Sequence, residues 1–393
     1  MNITSRVDLL PSEPALRTLM KARALEAGGR EVVHLEIGEP DFETPEHIKA
    51  AAKKALDDGK THYCDPQGVP ELRQAIADRV SATRGVAVDA NCVVVTPGLR
   101  PVLFYAALLA LERGDEGIFL EPAFAAFPSV IEFAGARAVA VPLLGEDGFR
   151  LDTRTLEAAI TPKTKLIALN SPHNPTGAVL GTDELEAIAQ LAEAHDLMVL
   201  SDETYEEIYY DARPRSIIEF PRLRKRSIVL SGFSKTYCMT GWRLGYAILP
   251  PSMVDAFTRL VANSVTSTAT FVQYAAVEAL RGPQDCVAMM VAEFRRRRDL
   301  LVTGLNRLPG VSCHSPAGAF YAFPDVRGTG IPDTELGELL LQEGGVATLP
   351  GSCFGPQGRG YLRLSYTTSA ADIARALTRM EQVLSALSVS RAA

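Results

Sequence analysis

Short apolar runs of strand length alternate with longer amphipathic stretches through the first two thirds of the chain. Seven such runs recur between residues 92 and 249: "CVVVT", "GIFL", "AVAVP", "KLIAL", "LMVLS", "SIVLS" and "GYAIL". Several are separated by segments of helical period. In "TDELEAIAQLAEAHD" (182–196), Leu185, Ile188, Ala189, Ala192 and His195 fall at helical spacing, with Asp183 and Glu184 in the first turn. Strands alternating with helices predict a parallel, doubly wound α/β sheet of seven strands. Past this region, 253–308 reads as mainly helical, and "RRRR" at 295–298 within it reads as a solvated helix face. A mixed α/β stretch follows, containing "GAFYAFPD", "GVATLPG" and "GYLRLSYTTS". The expected division is a large domain at 46–285, a smaller α/β domain at 286–393, and an N-terminal segment, 1–45, that packs on the small domain or on a second subunit.

Composition narrows the class. With 393 residues, 47% hydrophobic and 22% charged, the chain has the make-up of an ordinary globular protein. A net charge of -7 and a pI near 5.5 give no support for nucleic-acid binding. The six cysteines are widely separated and form no CxxC pair, which suits reduced thiols rather than a disulfide framework or a zinc site, and no metal is expected. No apolar run approaches 18 residues and the start lacks a signal-peptide core, so a cytoplasmic protein without a membrane partner is expected.

In a doubly wound sheet, ligands bind beyond the carboxyl ends of the strands. The residues there are "TPG" (96–98), "EPAF" (121–124), "NSPHNPTG" (170–177), "SDETY" (201–205) and the stretch leading to Lys235. Lys235 does not belong to a Walker loop, because Ser234 precedes it where glycine is required, and no GxGxxG opens a βα unit. A lysine on a strand-end turn can instead form a Schiff base once its amine is made nucleophilic. Pyridoxal phosphate would demand that lysine, a carboxylate for the ring nitrogen, donors for the phosphate and a flat group against the ring. Asp202, Tyr205, the helix start after Gly98, Arg243 and Phe124 are candidates for those places. Singly, each has a plainer reading as a cap, a turn or a core residue.

Together, six blocks in order resemble the class I/II aminotransferases, fold type I pyridoxal-phosphate enzymes of the aspartate aminotransferase kind. They are "LEIGEPDFETPEHI" (35–48), "HYCDPQGVPELR" (62–73), "SPHNPTG", "SDETYE", "SGFSKTYCMTGWRLGY" (231–246) and "YLRLSYTTS". The resemblance implies that Lys235 carries the cofactor as an aldimine and moves the substrate proton, and that Asp202 pairs with the ring nitrogen. It implies Tyr205 and Asn174 at the ring's phenolic oxygen and Phe124 stacked on the ring. The phosphate would be held by Arg243, Ser234, the backbone at Leu99 and Arg100, and Tyr63 from the neighbouring subunit of a homodimer. Arg363 would grip the substrate α-carboxylate beside Asn174, with the backbone of Gly38 closing over it. The implied activity is ping-pong transfer of an amino group from an L-amino acid to a 2-oxo acid. A β-lyase on the same scaffold, or a non-catalytic cofactor-binding regulator, are the alternatives. Three positions depart from the family: Gly232 stands where many relatives have a phosphate-binding serine, and in the phosphate loop Leu99 and Pro101 replace small or polar residues. Ser231 or Ser234 is the expected substitute donor.

Overall fold

The seven apolar runs become seven strands of one sheet in the computed structural model, which describes residues 5–10 and 13–392. In chain order the strands are β1 (Val33–His34), β2 (Val93–Thr96), β3 (Glu116–Glu121), β4 (Arg137–Leu144), β5 (Arg150–Leu151), β6 (Thr164–Asn170), β7 (Met198–Asp202), β8 (Ser227–Gly232), β9 (Gly245–Ile248), β10 (Tyr321–Ala322), β11 (Val346–Ala347), β12 (Leu349–Pro350) and β13 (Leu362–Ser365). The large sheet has the order β2-β9-β8-β7-β6-β3-β4-β5. Pairings among β4, β3, β6, β7 and β8 are parallel, whereas β9 runs against both β2 and β8. The sheet therefore has eight strands where seven were expected. The extra one, β5, pairs only Leu151 and Arg150 with Leu143 and Leu144, and two residues at an edge leave no apolar run to read.

Alternation along each strand divides the core between the two faces. Val93, Val95, Ile118, Leu120, Ile167, Leu169, Val199 and Val229 pack on one side. Their neighbours Val94, Phe119, Leu166, Ala168, Leu200, Ile228 and Leu230 pack on the other. Because each such side chain contributes about 1.5–3 kcal/mol only when buried, both faces must be covered, and parallel crossovers bring the helices that cover them. Helix Thr182–Ala194 buries Leu185, Ile188, Ala189 and Ala192 as its spacing predicts, but His195 leaves the helix at its C-cap and is exposed.

A separate core joins Leu35, Phe294, Leu301, Phe320, Leu364 and Ile373. Around it lie the sheet β10-β13-β12 and the parallel pair β1-β11. The "RRRR" reading needs correction here. In helix Asp285–Leu305 the buried positions include Phe294, Arg297, Arg298 and Leu301, so helical register turns two of the four arginines inward. Arg297 is satisfied by Asp41 at 2.7 Å and Glu293 at 2.8 Å, with its guanidinium over the Phe42 ring; Arg298 lies over Tyr210 and donates to the Pro316 carbonyl. Arg297 thus fastens the segment around Asp41 to the helix and Arg298 the stretches around Tyr210 and Pro316, and buried stems contribute packing as well as charge. Among the described residues no helix is long and apolar enough to cross a membrane. Arg297→Ala is expected to cost roughly 2–4 kcal/mol of stability. The check is a lowered denaturant midpoint at unchanged slope; an unmoved midpoint would make the pair a surface ornament.

Candidate active site

The carboxyl ends of β6, β7 and β8 deliver Asn170, Asp202 and, three residues past Gly232, Lys235 to one edge of the sheet. Asn170 fixes the loop that follows it. Its amide donates to the Asp202 carbonyl at 3.1 Å, and its oxygen accepts the Asn174 N–H at 2.8 Å. Asp202 is buried, with Oδ1 accepting the Thr204 N–H at 3.1 Å. Burial pushes its carboxyl up to about 7, against the pull of that N–H and of the Lys235 charge.

Two cations reach into the same space and are held by one strip of backbone. Lys235 Nζ donates to the Gly38 carbonyl at 2.6 Å. Arg363, on β13, donates from Nη2 to the Glu36 carbonyl and from Nη1 to Asn174 Oδ1 at 3.3 Å. Arg363 Nε is buried without an acceptor. Burial is the main cause that brings the Lys235 amine down to about 8; the charges of Arg363 and Arg243 act the same way, and Glu39 and Asp202 act against it. Tyr205 is buried, its hydroxyl 2.8 Å from that of Tyr321.

Across the cavity, Gly98 turns the chain with φ +89 between β2 and helix Arg100–Ala110. A Cβ at Gly98 would lie 2.3 Å from Arg243 Nη2, so the glycine makes room for that guanidinium beside the helix start. The first amides of a helix have no intrahelical acceptor, which leaves a cradle for an anion. Phe124 lines the cavity beneath the Arg100 guanidinium, 5.3 Å from its ring, and Arg100 pairs with Glu13. One cavity of about 690 Å³ is lined by Gly38, Leu99, Arg100, Phe124, Asn174, Asp202, Tyr205, Ser234, Lys235, Arg243 and Arg363. Tyr63 is the sequence-derived candidate left outside; its side chain is 87% exposed. A smaller apolar cavity of about 180 Å³ adjoins at Phe124, Arg100 and Arg363, walled by Leu103, Phe104, Val130, Leu349 and Phe354.

Residues 30–380 match the family described as aminotransferase class I and II. The chain belongs to that family. It is 41% identical to an aspartate aminotransferase of Pyrococcus abyssi and 40% identical to aromatic-amino-acid aminotransferase 2 of Thermococcus litoralis, each alignment covering 98% of both chains. Its fold superposes on the aspartate aminotransferase from Thermus thermophilus with maleate at a TM-score of 0.93, with 39% identity over 98% of this chain and 100% of that one. This aminotransferase is accordingly a pyridoxal-phosphate-dependent transferase of amino groups. The cavity suits the cofactor: it offers an anion cradle at Gly98 and Arg243, a buried carboxylate, a half-buried amine and an Arg363 nitrogen still lacking an acceptor.

Two of the departures from the family, Gly232 and Leu99, are neighbours. A Cβ at Gly232 would lie 3.0 Å from Gly245 Cα, 3.1 Å from the Leu244 carbonyl oxygen and 3.1 Å from Leu99 Cδ2. Backbone and the Leu99 side chain together crowd that position, and β8–β9 pairing sets Gly232 against Gly245. Ser231 donates its hydroxyl to Glu206 at 2.6 Å, whereas Ser234 lines the cavity. Sequence reading passed over Asn170 and Tyr321. The first hid as an ordinary strand end, and the second inside "GAFYAFPD", read as part of a mixed α/β stretch.

The lowered Lys235 amine sets a pH dependence. Folding favours the neutral form, so the amine is free to react above about 8 instead of near 10.5, and its burial penalises the cofactor-free fold most below that pH. Acylation of Lys235 in cofactor-free protein, followed peptide by peptide by mass spectrometry, should therefore rise through about pH 8 while surface lysines lag. A Lys235 midpoint matching theirs would refute the assignment.

Proposed function

We propose that this aminotransferase runs two half-reactions at the one cavity, with an L-amino acid donating its amine and a 2-oxo acid collecting it afterwards. The observation that carries this is a half-buried amine, Lys235, in one cavity with a buried arginine, Arg363, and a buried acid, Asp202. When bound, pyridoxal phosphate supplies the carbonyl for the amine and the conjugated ring that accepts the electron pair left by the departing α-proton. Lys235, whose proton burial makes easier to lose, takes the proton from the substrate α-carbon. With the cofactor bound, Asp202 would keep the ring nitrogen protonated, Tyr205 and Asn174 would donate to the phenolic oxygen, and Phe124 would pack on the ring. Arg243, Ser234 and the amides at Leu99 and Arg100 would hold the phosphate. Arg363 fixes the α-carboxylate as a planar fork, with Asn174 and the Gly38 backbone beside it, so that the Cα–H bond is held in one orientation.

The relatives are named for aspartate and for aromatic amino acids. We read the small apolar cavity beside Arg363 as the place of the donor side chain, with Arg100, paired with Glu13, at its rim. The relatives compared are aminotransferases by name, which gives no support to the lyase or the regulator. Six free thiols suit a cytoplasmic setting. The pairing of β1 with β11 supports an N-terminal segment, 1–45, resting on a small domain, 286–393, beside a large one, 46–285.

Adding single amino acids to the holoenzyme without any 2-oxo acid should convert the cofactor absorbance to that of its amine form, fastest with the true donor. Release of ammonia with the original band intact would mean a lyase. Lys235→Ala should abolish turnover while thermal unfolding stays cooperative, and retained turnover would end the mechanism. The exposed Tyr63 is read as a phosphate ligand for the partner subunit in a homodimer. Tyr63→Phe should then weaken cofactor binding about tenfold without dissociating the dimer. A fully active monomer by analytical ultracentrifugation would contradict it.

A further inference from the structure

Tyr321 carries no role in the reading above. It opens β10, where it pairs with Ser365, two residues past Arg363 on β13. Its side chain is buried, yet it meets three residues of the site from three parts of the chain. Its hydroxyl is 2.8 Å from that of Tyr205, which follows β7. The Arg363 guanidinium carbon stands 4.6 Å from its ring centre. The third meeting is with Gly38, where a Cβ would lie 2.1 Å from the Tyr321 oxygen, so the phenol occupies space that only glycine leaves open.

We propose that Tyr321 is a positioning residue that orders the Tyr205 proton with its hydroxyl and steadies the Arg363 fork with its ring. The proposal rests on the role given above to Tyr205. A phenol has one O–H to donate. Between the two hydroxyls either can be the donor. Once Tyr205 gives its hydrogen to an oxygen of the cofactor, Tyr321 must give its own to Tyr205. Hydrogen bonds in such a chain polarise one another, so Tyr205 becomes the stronger donor to an anionic oxygen. The proton that titrates in the loaded site is thereby lost at lower pH.

The ring acts separately. A guanidinium over a phenol face is attracted to it, and the flat contact limits the tilt of the fork that Asn174 and the Glu36 carbonyl hold at its edges. Tyr321 thus ties the group that orients the substrate carboxylate to the group that sets the charge of the cofactor oxygen. Removing the hydroxyl and removing the ring should have different consequences.

The test uses the holoenzyme and reads the pH midpoint of the cofactor absorbance change in Tyr321→Phe, Tyr205→Phe and the double variant. Tyr321→Phe should raise the midpoint by about half a unit, and the double variant should match Tyr205→Phe alone. The dissociation constant for maleate, a carboxylate that does not react, should stay unchanged in Tyr321→Phe and rise about threefold in Tyr321→Leu. A midpoint that moves in Tyr205→Phe but not in Tyr321→Phe overturns the proposal and leaves the Tyr205 role intact. Midpoints unmoved in both remove the Tyr205 role itself. Shifts that simply add in the double variant, or equal maleate binding in all variants, also count against it.

Discussion

The site depends on one short strip of backbone that accepts hydrogen bonds from two cations, one buried and one half-buried. The carbonyls of Glu36 and Gly38 hold Arg363 and Lys235, and a cation withdrawn from water needs such acceptors. The strip is itself held from several sides. Leu35 bonds to Ala347 and Ser365 through its backbone, Asp41 to Arg297, and Thr44 to both the Cys238 carbonyl and the Trp242 ring nitrogen. Elements of the second core and of the large sheet therefore meet in the placement of two carbonyl oxygens.

Asp202 and Lys235 share a cavity in which burial works against both charges, drawing the acid up and the amine down until their ranges nearly meet. A site of this kind is chemically unfinished by itself. It becomes comfortable when a ligand brings a cation to the acid and a carbonyl to the amine, which is what pyridoxal phosphate offers.

Most of the large sheet was legible because its strands are continuous apolar runs, the mark of strands covered on both faces. The residues at their ends were legible for the same reason, since strand ends announce where a ligand sits. What escaped was set by contacts between distant segments. Arg297 and Arg298 read as solvent-facing because the run of four hides which two the helix turns inward, and the partner Asp41 lies 256 residues away. Two-residue β5 left no run to see. Tyr321 looked like one more aromatic in an apolar segment, and only its nearness to Tyr205, Arg363 and Gly38 distinguishes it.

The interlocked Leu99, Gly232 and Gly245 bear on how such a cup can change. A side chain at 232 would press on the Gly245 and Leu244 backbone as well as on Leu99, and a smaller residue at 99 alone would open a hole above two glycines. The fit of one leucine over two glycines thus couples positions that lie far apart in the chain, so that a change of volume at 99 is felt at 232 and 245.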